Sequence, residues 1–396
     1  MSMEKQKFKM RRKYLMPALV LGIVGTIAWQ PVEGFSGVLS KIYGSGTASA
    51  ASVQSAKPAN SISVTAYGAV GNGKKDSLAA FNKAIKAARN QGKTLYVPSG
   101  NFLLSGVLNV TGVRIVGAGA KRSVLTSTNP AGGSINLKGK SPALQDLTHV
   151  YANTGKRDGA DSKNSITVLG ASDFSIRNVR IVGAGTAGIL VRDEANGGTI
   201  SGNVIKNTKA DGIHLTDGSK GITVENNTVK QTGDDGIAVV SYHKDPALTR
   251  DIVIRNNTVG YSSKARGISV VGGSEVTIEK NKINNTEMAG IYIAVEKHWN
   301  TRDVKKVTVN DNTIIKTGTR PTDDHPNVLV FADQGSIDEV RFTRNMISDS
   351  ANAGIGVWGD GQIGNIYFTN NQVKNSGAAA ATFKKGEIHA EGNTGF

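Results

Sequence analysis

From about residue 174 to the C-terminus one unit recurs: a β-rich tetrad, an Asn at a turn, a second short strand, and a strand opened by Gly-Ile-x-Val. The Asn positions are Asn178, Asn203, Asn227, Asn257, Asn281, Asn312, Asn345, Asn371 and Asn393. The Gly-initiated strands include Gly188-Ile-Leu-Val, Gly212-Ile-His-Leu, Gly236-Ile-Ala-Val, Gly267-Ile-Ser-Val, Gly290-Ile-Tyr-Ile and Gly354-Ile-Gly-Val, with Asn327-Val-Leu-Val in the same slot. Where loops are short the period is 23 to 25 residues, as from 188 to 212 to 236. Three strands with their turns fit that length, so each unit reads as one coil of a β-solenoid that buries its core only against its neighbours. Alternation points Ile213 and Leu215 inward and His214 outward. Equivalent residues then form columns spaced about 4.8 Å apart along the axis. The Asn column is structural in this reading, because Asn tolerates a left-handed corner and can bond its counterpart one coil on.

Composition agrees: glycine is abundant at 48 residues, proline scarce at 9, and cysteine absent. Disulfides, thiolate catalysis and zinc–thiolate sites are thereby excluded. Residues 1–50 read as an export segment, with a basic stretch from Lys5 to Lys13, an apolar run from Leu15 to Trp29, and a small-residue site at Ala48-Ser49-Ala50. That predicts a secreted protein with a short linker over 51–61. Seven Lys/Arg against two Asp/Glu in residues 1–50 account for +5 of the net charge of +16, leaving +11 on the remainder. Such a field favours polyanions such as uronic-acid polymers or an anionic cell wall. The basic residues are scattered along the repeats without interleaved aromatics, which argues against nucleic acid. A monomer is expected.

Residues 76–91 read as an amphipathic helix, with Asp76 as N-cap, Leu78, Phe81, Ala84, Ile85 and Ala88 on one face, and Gly92 as the stop. It suits a lid on the open end of the solenoid core. The run Val64-Thr-Ala-Tyr-Gly-Ala-Val-Gly-Asn-Gly, this helix and Val97-Pro-Ser-Gly together resemble the opening of pectate-lyase-like β-helix enzymes. The resemblance implies an all-β, single-stranded right-handed parallel β-helix over residues 62–396, with an N-terminal cap at 62–130. It is weak for the reaction, since that superfamily includes hydrolases, lyases, epimerases and phage tailspikes.

Residues beside successive Gly-Ile-x-Val strands should line one groove. Before the strands stand Asp211, Asp234-Asp235, Lys264-Ala-Arg266, Glu287 and Asp323-Asp324-His325. Near or after them come His214, Tyr242, His243, Tyr292, Lys297, His298 and Trp299, candidates for substrate contact together with Lys264, Arg266 and Glu287. Trp299 and Trp358 are candidate sugar-stacking aromatics. Asp323-Asp324-His325 reads first as a solvated loop and second as a metal site. Period-breaking insertions at about 241–250, 297–305 and 316–326 would wall the groove.

Three carboxylates on adjacent coils repel, so at least one pKa should rise, giving a protonated acid beside ionised bases. The pattern resembles the polygalacturonase-type and α-glucanase/dextranase-type β-helix hydrolases, whose catalytic Asp precedes an Asp-Asp pair by about one coil. The resemblance makes Asp234 the general acid, with Asp211 and Asp235 activating water. Coil spacing leaves room for that water, which predicts inversion without a cofactor. The sequence departs from a polygalacturonase where Gly-His-Gly is replaced by Lys264-Ala-Arg266-Gly and Arg-Ile-Lys by Tyr292-Ile-Ala. A metal-assisted polysaccharide lyase is the second reading, with Asp211, Asp234 and Asp235 holding Ca²⁺ and Arg266, Lys264, Tyr242 or Lys297 as base. Noncatalytic glycan binding, epimerisation and tailspike-like adhesion are the remaining alternatives.

Overall fold

The structure is a computed structural model and describes residues 57–396; the expected export segment and most of the linker lie outside them. The first strand is Ser61–Ser63, and every named strand pairing is parallel. On the face that carries the candidate site, Ile189–Arg192, Ile213–Leu215, Ile237–Val240, Ile268–Val271, Ile291–Val295, Val328–Ala332 and Ile355–Gly359 pair in coil order. The register aligns Ile189, Ile213, Ile237, Ile268, Ile291, Val328 and Ile355, all completely buried. The Asn327 unit therefore does occupy the Gly-strand slot.

A second face includes Asn196–Ser201, Lys220–Glu225 and Arg250–Arg255. One long strand, Ile166–Arg177, spans the corner between the two faces, pairing with Ile189–Arg192 through its first half and Asn196–Ser201 through its second. Hydrogen bonding thus joins both faces into one 24-stranded sheet, while the third face is a separate sheet of 12 strands.

Glycine opens the site-face strands because consecutive coils meet backbone to backbone there. A Cβ on Gly212 would stand 2.2 Å from Val229 Cγ1 and 2.5 Å from the Gly236 carbonyl oxygen. Asn327 escapes this rule, and its side chain instead ties the preceding loop: Oδ1 accepts Thr317 Oγ1 at 2.6 Å and Nδ2 donates to the Ser348 carbonyl at 2.8 Å.

The Asn column is real from Asn203 to Asn393. Asn257 is representative: its Oδ1 accepts the Asn227 N–H at 2.9 Å and Nδ2 at 3.0 Å. Its own Nδ2 donates to Val224 O at 2.9 Å and to Asn281 Oδ1 at 3.0 Å. Two corrections sharpen the sequence reading. The left-handed corner belongs to the residue before each ladder member, at Gly202, Asn226, Asn256 and Lys280. Asn178 sits in that corner column, at φ 53, and is not a ladder member. Val179 fills the ladder slot of its coil, donating its N–H to Asn203 Oδ1 at 2.9 Å.

The capping helix, α1, spans Leu78–Asn90. It buries Phe81, Ala84, Ile85 and Ala88 on the end of the core, with Phe81 edge-on to Phe102 at 5.7 Å. Its cap residue is Ser77 rather than Asp76, which belongs to the preceding strand and accepts the Ser105 N–H at 3.0 Å. Asp76 is thus drawn into tying the helix to a neighbouring turn.

Candidate functional site

Register sets the carboxylates. Asp211, Asp235 and Arg266 each stand two residues before an aligned Ile, so they form one column; Asp234 is offset by one residue. Within the column each carboxylate grips the next coil. Asp211 Oδ1 accepts the Asp235 N–H at 2.9 Å, and Asp235 Oδ1 accepts the Arg266 N–H at 2.9 Å. Asp211 Oδ2 accepts from His214 Nδ1 at 2.6 Å, and Asp235 Oδ2 accepts Ser269 Oγ at 2.6 Å. Asp235 is only 5% exposed. Asp234, on the more open side, takes Arg157 Nη2 on its Oδ2 at 2.7 Å.

One oxygen from each of the three aspartates lies within 4.8 Å of the others. That is tighter than the gap of roughly 6.5–9.5 Å characteristic of inverting carboxyl pairs, because two share a column and the third is the sequence neighbour of one. The electrostatic consequence falls on Asp234. Burial, then the charges of Asp211 and Asp235, push its pKa up to about 6, against the opposing pull of Arg157. For His214, burial acts to lower the pKa, but the Asp211 hydrogen bond and the charges of Asp211, Asp235 and Asp234 outweigh it and the net shift is upward.

These groups line a cleft of about 770 Å³ that also includes Tyr242, Arg266, Glu296 and Trp299. Its floor is the outward side of the sheet at Ala238, Val240 and Val271, which pack with Tyr292, Ala294 and Leu329 in an apolar cluster separate from the solenoid core. One wall joins two of the period-breaking loops. Tyr242 and Thr301 form an antiparallel bridge, and Arg302 Nε donates to the Tyr242 carbonyl at 3.0 Å. Trp299 stands on that wall, 60% exposed. Arg157, Asp158 and Gly159, from the loop at 152–165, also line the cleft.

Arg266 is half-buried and braced. Its Nη2 donates to Glu296 Oε1 at 2.9 Å, its Nη1 lies 3.6 Å from Asp235 Oδ1, and its guanidinium stacks 4.5 Å from the Tyr292 ring centre. Tyr292 donates its hydroxyl to the same Glu296 oxygen at 3.0 Å and is buried, so it supports Arg266 instead of facing the cleft. Burial first, then Glu296, pushes its pKa well up. Tyr242 is pushed up to about 12, by burial and then by Asp211, Asp245 and Glu296.

The remaining sequence candidates separate from the cleft. Lys264 pairs with Glu287 at 2.5 Å on the rim, and Glu287 also takes Arg320 at 3.3 Å. His243, Lys297 and His298 are exposed on the loops outside the lining; His298 sits edge-on to Trp299 at 4.9 Å. Asp323 pairs with Arg320 at 3.2 Å and Asp324 is exposed, while the His325 ring lies 5.8 Å from Tyr292, with its pKa lowered to about 4 by burial and Arg266. The only carboxylate or histidine group spaced for a metal among the described residues is the aspartate trio. Five of its six oxygens already accept bonds from Arg157, His214, Ser269 and two backbone N–H groups. A Ca²⁺ ion takes about six to eight oxygens, and here it would compete with the nearby guanidinium groups of Arg157 and Arg266. The cluster as built does not fit one.

Fold and site together define a right-handed parallel β-helix with an acidic cleft on one face. A family model for rhamnogalacturonase A/epimerase, pectate lyase-like, matches residues 61–292, and one for the right-handed beta helix region matches 247–394. The chain belongs to the rhamnogalacturonase A/epimerase, pectate-lyase-like family. The catalytic unit of a GH87 α-1,3-glucanase from Streptomyces thermodiastaticus superposes with a TM-score of 0.68 at 24% identity, over 87% of this chain and 70% of that one. The Agl-KA catalytic domain gives 0.68 at 22%, over 85% and 69%. The A-module of the Azotobacter vinelandii mannuronan C-5 epimerase AlgE4 gives 0.58 at 19%, over 82% and 99%. At these identities the likeness is one of fold. A pre-neck appendage protein of Bacillus phage B103 is 29% identical over 123 residues, which are 30% of this chain and only 14% of that protein's length.

Proposed function

We propose that the protein is a glycoside hydrolase acting on a polysaccharide, with Asp234 as general acid. The observation that carries this reading is the division of labour among three clustered carboxylates. Asp234 has its pKa raised to about 6 by burial and by the charges of Asp211 and Asp235, and both of those carboxylates are held by networks of donors. A protonated Asp234 can donate to the glycosidic oxygen as the bond breaks. Asp211, backed by His214 on Oδ2, is the group to activate water, since each carboxylate oxygen can accept a second bond. Asp235, sealed by Arg266 and Ser269, acts as a positioning residue: it orients the column and its charge keeps Asp234 protonated.

Water activated by Asp211 is the nucleophile in this reading, and its attack gives inversion. Asp234 must then turn from Arg157 to open the space that water needs. The lyase reading is the weaker one because each named base is compromised. Tyr242 is pushed up to about 12, Arg266 is raised by its acidic neighbours despite burial, Lys264 is paired on the rim, and Lys297 lies outside the cleft.

The α-1,3-glucanases among the structural neighbours make α-1,3-glucan a reasonable first substrate, with polygalacturonate and alginate beside it. The N-terminal basic and apolar runs support export to the cell exterior, and the +11 charge supports wall association. The test is to incubate the protein with these polymers and read reducing ends and the ultraviolet absorbance of unsaturated uronides, with and without chelator. Reducing ends without that absorbance, insensitive to chelator, are expected. Chelator-sensitive absorbance would instead establish the lyase.

A further inference from the structure

The cleft shares one wall with a second, smaller pocket. Tyr242 and Trp299 line both, whereas Lys244 and Asn300 line only the second, a space of about 230 Å³. The two loops that form this wall are knitted together. The Tyr242–Thr301 bridge is joined by the His243 N–H donating to the Asn300 carbonyl at 2.9 Å and the Asn300 N–H to the Lys297 carbonyl at 3.1 Å. Asn300 turns the chain here in a left-handed conformation, at φ 51.

The same wall is basic. Segments 241–250 and 297–305 hold five Lys/Arg against two Asp, which is +3 of the +11 carried beyond residue 50, with the histidines neutral. Both aspartates are taken by backbone: Asp245 Oδ2 accepts the Tyr242 N–H at 2.7 Å, and Asp303 Oδ1 the Ser336 N–H at 2.8 Å. Lys244 is exposed and holds its ammonium 5.0 Å from the Tyr242 ring centre; among the described residues it pairs with no carboxylate. An exposed indole and an uncommitted ammonium thus border one small pocket whose far residues take no part in the aspartate cluster.

We infer that this second pocket is an accessory site for a uronate unit of an acidic polysaccharide, with Trp299 against the ring and Lys244 on its carboxylate. The indole offers a flat apolar surface to the C–H face of a pyranose, and the ammonium a charge-assisted hydrogen bond. A uronate suits both because its carboxylate is attached to the ring that stacks. A polymer of phosphodiesters without sugar rings would use only the charge. The pocket is too small for a whole drug-sized ligand, which takes roughly 300–1,000 Å³, so it holds one unit of a longer chain. The inference goes beyond the hydrolase reading and does not depend on which bond the cleft breaks.

The test measures binding by the whole protein. Polygalacturonate, a neutral α-1,3-linked gluco-oligosaccharide, a ring-free glycerol-phosphate polymer and single-stranded DNA are titrated in parallel at physiological salt. Polygalacturonate should bind more tightly than the glycerol-phosphate polymer or the DNA. Lys244→Ala should weaken polygalacturonate roughly tenfold, the loss of one hydrogen bond to a charged group, and leave the neutral oligosaccharide unchanged. Lys244→Arg should restore most of the affinity. Charge reversal at exposed Lys75, on the N-terminal cap, should have no such effect and separates the pocket from net charge. Unchanged polygalacturonate affinity in Lys244→Ala overturns the site, as does an equal loss from Lys75→Glu. Equal binding of DNA or of the glycerol-phosphate polymer overturns the uronate assignment. The cleavage assays above test the cleft alone, so failure of either reading leaves the other standing.

Discussion

Asp234→Asn separates stability from activity in a way that few substitutions do. In the folded protein Asp234 titrates near 6, against 3.8 for an ordinary aspartate, so it is harder to ionise folded than unfolded. The difference of about two units corresponds to roughly 3 kcal/mol at about 1.4 kcal/mol per unit, an upper bound. Partial exposure of the side chain screens it, and the Arg157 ion pair lost in the variant is worth about 0–1 kcal/mol. A net stabilisation of about 1–2 kcal/mol is expected. Its pH dependence follows from the sign of the shift. Wild type loses stability relative to the variant as pH rises from about 4 through 6, and the gap is fully open above about 7. Denaturant midpoints for both proteins at pH 4 and pH 8 read this directly, because groups far from the site cancel in the difference. A variant that is less stable at pH 8, or a gap equal at both pH values, would refute the assignment of Asp234 as the strained acid.

Arg157→Ala removes the cation paired directly with Asp234, so the alkaline limb of the activity profile should move to higher pH; an unmoved limb would detach Arg157 from the acid. Asn257→Ala leaves the Val224 carbonyl, the Asn227 N–H and two neighbouring side-chain amides short of partners in a buried column, and should cost about 3–5 kcal/mol by denaturant midpoint. Gly212→Ala forces a Cβ into 2.2 Å of Val229 and should depress the melting temperature strongly, whereas the same change at open Gly92 would strain only its left-handed backbone.

The coil architecture was legible because a solenoid writes its register into a one-dimensional period. Each Gly-Ile-x-Val strand announces its column, and the column of Asp211 and Asp235 followed from counting. What the period does not encode is where loop side chains go. Arg157 and Glu296 went unrecognised as site residues, since one belongs to an unflagged loop and the other follows a strand by a single step. Lys264 and Glu287 share the entry position in sequence but satisfy one another on the rim. Tyr292 was placed at the groove by register, yet Arg266 lies over its ring and Glu296 takes its hydroxyl. Asn178 shows the limit in the fold itself: adjacent columns both accept Asn, and only backbone φ tells the corner from the ladder. The apolar floor was invisible as such, because an outward Val or Ala reads as ordinary strand composition until its neighbours in the column are known.

The most direct test of Asp234 as the acid compares wild type with Asp234→Asn on the polymer that wild type cleaves, by counting reducing ends across pH 4 to 8. Wild type should lose activity as pH rises through about 6, and the variant should be inactive throughout while remaining folded. A variant that keeps wild-type activity, with the same pH limb, would contradict the role assigned to Asp234.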